Sequence, residues 1–180
     1  MLYTYDECIN KFGTKYLVKK AVENGSLFQL DKGIYSDRKR VSEEVVIARK
    51  YPKAVLTLNS AFYYYNLTDV IPEKHYLATD RDAAKIPDKR VKQIFERNDL
   101  LNLGATTYSR DGGIVNIYSK ERMLVELLRN KNKLPFDYYK EVLLNYREIV
   151  HDLDIRAVQD YAVAVPKSDM IMELLRLEVL

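Results

Sequence analysis

The stretch Thr14–Ser36, "TKYLVKKAVENGSLFQLDKGIYS", constrains the fold of this 180-residue chain more than any other. Leu17, Val18, Ala21 and Val22 recur at helical spacing after Thr14, a good capping residue. A helix from Lys15 to about Asn24 is therefore expected, with those four side chains turned inward. Lys15, Tyr16, Lys19, Lys20 and Glu23 are left on its outer face. Gly25 stops it, because glycine enters the left-handed backbone region without steric cost. The short apolar runs "SLFQL" and "GIYS" then flank "DKG", which leaves room only for a tight hairpin with Lys32 at its tip. Upstream, Thr4 and Glu7 have the spacing of a capping box. Cys8, Ile9 and Phe12 give the apolar face of a shorter helix, ended by Gly13.

Helix, glycine turn, helix and hairpin, in that order, make a winged helix-turn-helix, whose second helix enters the major groove of double-stranded DNA. The charges agree. Residues 1–40 hold eight Lys/Arg against five Asp/Glu, which accounts for the whole net charge of +3. On this reading Lys15, Tyr16, Lys19 and Lys20 face the groove, and Lys32, Arg38, Lys39 and Arg40 meet the phosphates. Residues 1–40 form a reduced winged helix-turn-helix, since only "MLY" precedes the first capping residue where a further helix is usual.

The rest, 41–180, reads as an α+β domain with a helical C-terminal half. Ser42 with Glu43 and Glu44 starts a helix to Lys50, and "AVLTL" is extended. A helix is capped near Asn59 or Ser60, and Asp69 organises the turn "LTDVIP" through its side chain. "KHYLAT" and "RVKQIFE" are strands, and "RDGG" turns a second hairpin between "ATTYS" and "IVNIYS". From Lys120 the chain is helical, with Pro166 before the last helix, "SDMIMELLRLEVL". That helix is apolar around much of its circumference; closing the domain's own core is favoured over a homodimer interface. The fifteen tyrosines are spaced for helix faces and read as packing residues rather than base-stacking platforms.

Little in the chain invites catalysis, a cofactor or a metal. One cysteine, Cys8, and two distant histidines, His75 and His151, do not make a metal centre. Gly25-Ser26 with Asp80 and Asp82 supplies the letters of a nucleotidyltransferase, but precedes a hairpin and is too widely spaced. Asp111, Lys120 and Glu121 could be drawn as a nuclease site, yet "RDGG" is explained as a turn. Ser60 lacks a glycine elbow and reads as a cap or packing position. Cys8 is expected in the core, and His75 in a structural role. With no signal-peptide pattern and no run of about 20 apolar residues, a cytoplasmic, non-membrane protein is expected.

The succession "NGSLFQLDKGIYS", "YPKAVLTLNSAFYYYNLTDVIP" and "VNIYSKERMLVELLRNKNKL" resembles the AbiEi antitoxins of type IV toxin–antitoxin (abortive phage infection) systems. The wing pattern falls on Gly25, Leu30, Gly33 and Tyr35. The middle pattern falls on Tyr51, Pro52, Ala54, Val55, Ser60, Ala61, Leu67, Thr68, Asp69, Ile71 and Pro72. Tyr118, Ser119, Glu121 and Arg122 open the helical tail, where Met123 and Glu126 replace an expected threonine and aspartate. The resemblance implies an antitoxin and transcriptional autorepressor that binds inverted repeats of its own promoter. It also implies action against a nucleotidyltransferase-like toxin, with no stable toxin complex required. The alternative, from a different class, is a protein-interaction module that keeps the AbiEi-like fold without binding DNA.

Overall fold

The computed structural model describes residues 1–180 and shows an α+β protein of eight α-helices and two sheets. Contacts divide it into two compact units. The first is Met1–Lys53 with Thr107–Asn116, and the second Ala54–Thr106 with Ile117–Leu180.

In the first unit β1 (Leu2–Thr4) leads into α1 (Tyr5–Phe12) and α2 (Lys15–Glu23). The hairpin of β2 (Phe28–Asp31) and β3 (Ile34–Ser36) follows. The capping box forms: Thr4 N–H donates to Glu7 Oε2 at 2.6 Å, and Glu7 N–H to Thr4 Oγ1 at 3.3 Å. Thr14 caps α2 by accepting from Leu17 N–H at 3.3 Å. At the other end Gly25 has φ +77°, and Ser26 and Leu27 N–H both return to the Ala21 carbonyl at 3.0 Å. β3 pairs antiparallel with both β1 and β2, so the sheet order is β1-β3-β2.

That sheet is covered on two faces. Tyr35 packs with Cys8, Val18, Ala21 and Leu27 in the core made with α1 and α2. Its neighbours Ile34 and Ser36 must point the other way along the strand, and both are buried. On that side α3 (Glu43–Lys50), with Val45, Val46 and Ile47 buried, packs against β1 and β3. Lys50 ties α3 to the β2–β3 hairpin through Asp31 at 3.4 Å, and Arg49 pairs with Glu7. Asp111 accepts from Ser42 N–H at 2.8 Å and from the Ser42 hydroxyl, so that hydroxyl does not cap α3.

The second unit contains β4 (Val55–Leu56), α4 (Leu58–Tyr64), β5 (His75–Asp80) and β6 (Val91–Glu96). The hairpin of β7 (Ala105–Arg110) and β8 (Gly113–Tyr118) belongs to this unit only at its base, 105–106 and 117–118, and the five-stranded sheet has the order β6-β5-β4-β8-β7. β5 and β6 run parallel, in register from His75↔Val91 to Asp80↔Glu96. Their connection has no helix; Gln93 stitches it down, accepting from Ile86 N–H and donating to Thr79 Oγ1, both at 2.8 Å. Then come α5 (Lys120–Arg129), α6 (Phe136–Glu148), α7 (Ile155–Ala164) and α8 (Ser168–Leu174), the last continued by a π-helical turn over Leu175–Val179. α5 is central, with every side chain from Arg122 to Leu128 buried. α8 packs on α5 and α7, with Ile171 buried in it and Leu175 buried in the turn that follows. No helix is long and apolar enough to cross a membrane.

Several details depart from the sequence reading. α4 starts at Leu58, so Ser60 lies inside it and caps nothing. Its hydroxyl donates to the Lys74 carbonyl at 3.2 Å and accepts from Tyr76 N–H at 2.9 Å, fastening β5. In the "LTDVIP" turn the side chain at work is Thr68, accepting from Val70 N–H at 3.1 Å; Asp69 contributes its backbone N–H, to Glu141. Leu17 is 43% exposed rather than inward, because Val18, Ala21 and Leu27 already fill the space beneath α2.

Candidate nucleic-acid interface

The surface to be weighed is the outer face of α2 with the β2–β3 turn. Cys8, Val18 and Ala21 are buried, which turns Lys15, Tyr16, Lys19 and Lys20 to solvent. Tyr16 is 70% exposed at the start of the helix, where an amphipathic pattern would place a polar residue. Lys19 makes the only ion pair among the seven cations named from the sequence, with Glu23 at 3.7 Å, and both partners are exposed. Such a pair is worth little and exchanges readily for phosphate.

Gly33 takes φ +78°, and Asp31 Oδ1 accepts from Lys32 N–H at 2.6 Å, which locks the turn while the Lys32 side chain stays exposed. Arg38, Lys39 and Arg40 follow β3 and are exposed; Arg38 N–H is held by Ser36 Oγ at 2.9 Å. The fold thus brings all eight residues to the surface of one unit, four on α2, one in the turn and three just after β3. Cys8 is fully buried and its thiol pKa is pushed up, chiefly by burial, so it is inert packing.

The residues that opened the helical tail have structural work. Tyr118 is buried and donates its hydroxyl to the Leu101 carbonyl at 2.9 Å, and Ser119 Oγ caps α5 by accepting from Arg122 N–H at 3.2 Å. Glu121 accepts from Asp154 N–H, at the start of α7. Arg122 is fully buried, with its guanidinium over the Tyr118 ring. It bonds Glu126 at 2.8 Å and Glu96 at 3.3 Å, and Arg129 closes the quartet with Glu96 at 2.6 Å and Glu126 at 3.0 Å. Glu126, which departs from the AbiEi-like pattern, is thus a fully used partner.

No protein-family model matches the chain, and no curated protein sequence matches it. The functional reading therefore rests on its own residues.

Three of the carboxylates considered for catalysis, Asp82, Asp111 and Glu121, accept hydrogen bonds from other parts of the chain. Asp111 is held by Ser42, and Asp82 accepts from Asn98 Nδ2 at 3.0 Å. Ser26 completes the α2 terminus, donating its hydroxyl to Asn24 Oδ1 at 2.7 Å and contacting the Ala21 carbonyl. Sequence reasoning missed the Arg122–Glu126–Glu96–Arg129 quartet as a unit. Its helical members have i+3 and i+4 spacing that could have suggested pairing, but nothing local joins them to Glu96.

Proposed function

We propose that the chain is a DNA-binding repressor of the AbiEi antitoxin type, acting on inverted repeats in its own promoter and opposing a nucleotidyltransferase-like toxin. The observation that carries the reading is the order of the first unit. A helix pair with a glycine turn is followed by a hairpin whose return strand, β3, pairs with the strand preceding the pair. That order supports a winged helix-turn-helix with α2 in the major groove and the β2–β3 turn on the phosphates. The helix α3, packed on β1 and β3, supports the module from its second face. The cations of α2, the turn and the segment after β3 supply the phosphate contacts that dominate affinity.

The test is titration of a labelled duplex from the chain's own promoter, and of a scrambled duplex, at several salt concentrations. The native duplex should bind more tightly, with affinity falling steeply as salt rises. Replacing Lys19, Lys20 and Lys32 by alanine should lower the slope of log K against log salt by about one per lysine. Equal binding of both duplexes, or an unchanged slope, would overturn the assignment.

Tyr16 and Leu17, adjacent and exposed on the same helix, favour a second reading. In it the module binds a protein, not DNA, through that apolar pair. Tyr16→Ala separates the two. Under the first reading it weakens discrimination between duplexes; under the second it leaves DNA titrations flat and abolishes partner binding.

A further inference from the structure

The second unit holds a cleft of about 730 Å³ between β5–β6, the C-terminal end of α5 and the segment before α8. That volume is in the range of small-molecule sites. We propose that it binds a phosphorylated small molecule with a planar ring, of the nucleotide class. This goes beyond the repressor reading and does not depend on it.

Charge is the first support. Lys92, Lys133 and Lys167 line the cleft, are exposed, and have no carboxylate within ion-pair distance. The one acid in the lining, Glu126, is already neutralised by Arg122 and Arg129. Three uncompensated ammonium groups around a concavity make a focused positive potential suited to phosphate rather than to a neutral ligand.

Shape and ring chemistry are the second. Tyr76 of β5 lines the cleft directly opposite Lys92 of β6, so the two side chains share one face of the sheet. A tyrosine ring beside an unpaired ammonium group is the kind of platform on which a heterocycle stacks. The ammonium groups and the Tyr76 ring occupy one concavity, which is what a nucleotide's two halves require.

Backbone strain is the third, and it is independent of the others. Four non-glycine residues in the chain have positive φ, and two of them, Leu58 at +43° and Lys167 at +70°, line this cleft. Such conformations cost about 1–3 kcal/mol and cluster at ligand-binding sites.

The experiment is isothermal titration of the full chain with ADP, GDP, CDP and UDP, and with adenosine and inorganic pyrophosphate as the two half-ligands. At least one nucleoside diphosphate should bind at least tenfold more tightly than either half. Lys92→Ala and Lys133→Ala, both at exposed positions, should each weaken it several-fold. Tyr76→Leu should weaken the nucleotide but not pyrophosphate. The Lys19, Lys20 and Lys32 alanine variant should bind nucleotide like the parent, so failure of the DNA reading and failure of this one are told apart. No binding of any diphosphate at millimolar concentration would overturn the proposal. Pyrophosphate binding as tightly as the nucleotides, or affinity indifferent to Lys92 and Lys133, would overturn it equally.

Discussion

In the first unit six cations stay outside: Lys15, Lys20, Lys32, Arg38, Lys39 and Arg40 are exposed and without ion pairs. In the second unit a guanidinium is taken fully inside, where Arg122 meets Glu96, Glu126 and the Leu103 carbonyl. The difference has a physical cause. An exposed lysine remains hydrated and available to an anionic partner, whereas a buried arginine must be matched or the desolvation penalty is not met. Charge on the first unit is suited to binding, and charge inside the second to specifying one packing arrangement. Arg122→Met should therefore have the largest effect of any substitution considered, about 3–5 kcal/mol in urea denaturation, because two buried carboxylates are left with Arg129 alone. Lys19→Met on the α2 surface should change stability by less than about 0.5 kcal/mol. A small effect at Arg122 would mean that the quartet is hydrated and the contrast false.

The glycines sharpen the same contrast between a packed and an open environment. Gly104 and Gly25 both have positive φ, at +71° and +77°. A Cβ on Gly104 would lie 2.6 Å from Arg122 Cβ and 3.2 Å from the Tyr161 ring, whereas a Cβ on Gly25 would meet nothing. Gly25→Ala should cost the left-handed conformation alone, about 1–2 kcal/mol. Gly104→Ala adds overpacking against the quartet and should cost about 2–4 kcal/mol. Thermal denaturation of the two variants side by side checks the ranking, and equal losses would place the whole cost in the backbone.

What was legible in the sequence follows from the range of the forces involved. Caps, glycine stops and hairpin turns are decided within a few residues, so Thr4, Thr14, Gly25 and the Lys32–Gly33 turn could be read directly. Leu17 could not, since periodicity says which residues share a face but not how wide a face the core will cover. Ser60 was assigned too locally, since it serves a strand fifteen residues on, through Lys74 and Tyr76, and the turn role given to Asp69 falls to its neighbour Thr68. The cleft was invisible for the same reason. Lys92, Phe95, Lys133 and Lys167 carry no motif, and only the packing of β6, α5 and α8 into one unit brings them together.

A smaller effect is expected at the N-terminal cap, where one local motif meets a long-range partner. Thr4→Ala removes the hydroxyl that accepts from Glu7 N–H and should cost about 1 kcal/mol. The loss should be the same at pH 7 and pH 5, because the hydroxyl does not titrate.

Glu7 is the subtler case, since it serves both the cap and Arg49. The Arg49 guanidinium, then the Thr4 backbone N–H, hold its carboxyl down at about 2, against an ordinary value of 4.5. A depressed carboxylate stabilises the fold fully above its unfolded pKa and loses that contribution as pH falls through the folded one. The relevant window therefore runs from about pH 4.5 down to about pH 2. The Glu7 side chain is 47% exposed, so solvent screening keeps the contribution below about 1 kcal/mol, less than the shift alone would imply. Glu7→Gln isolates the charge, because glutamine at this position can still close a capping box. The stability difference between parent and variant should be present at pH 7, shrink through that window, and shrink also when salt is raised at pH 7. A difference that ignores both pH and salt would assign Glu7 to the cap alone and leave Arg49 as packing. Charge would then hold the first unit together only at pairs such as Lys50–Asp31, which would draw the contrast with the buried quartet more sharply still.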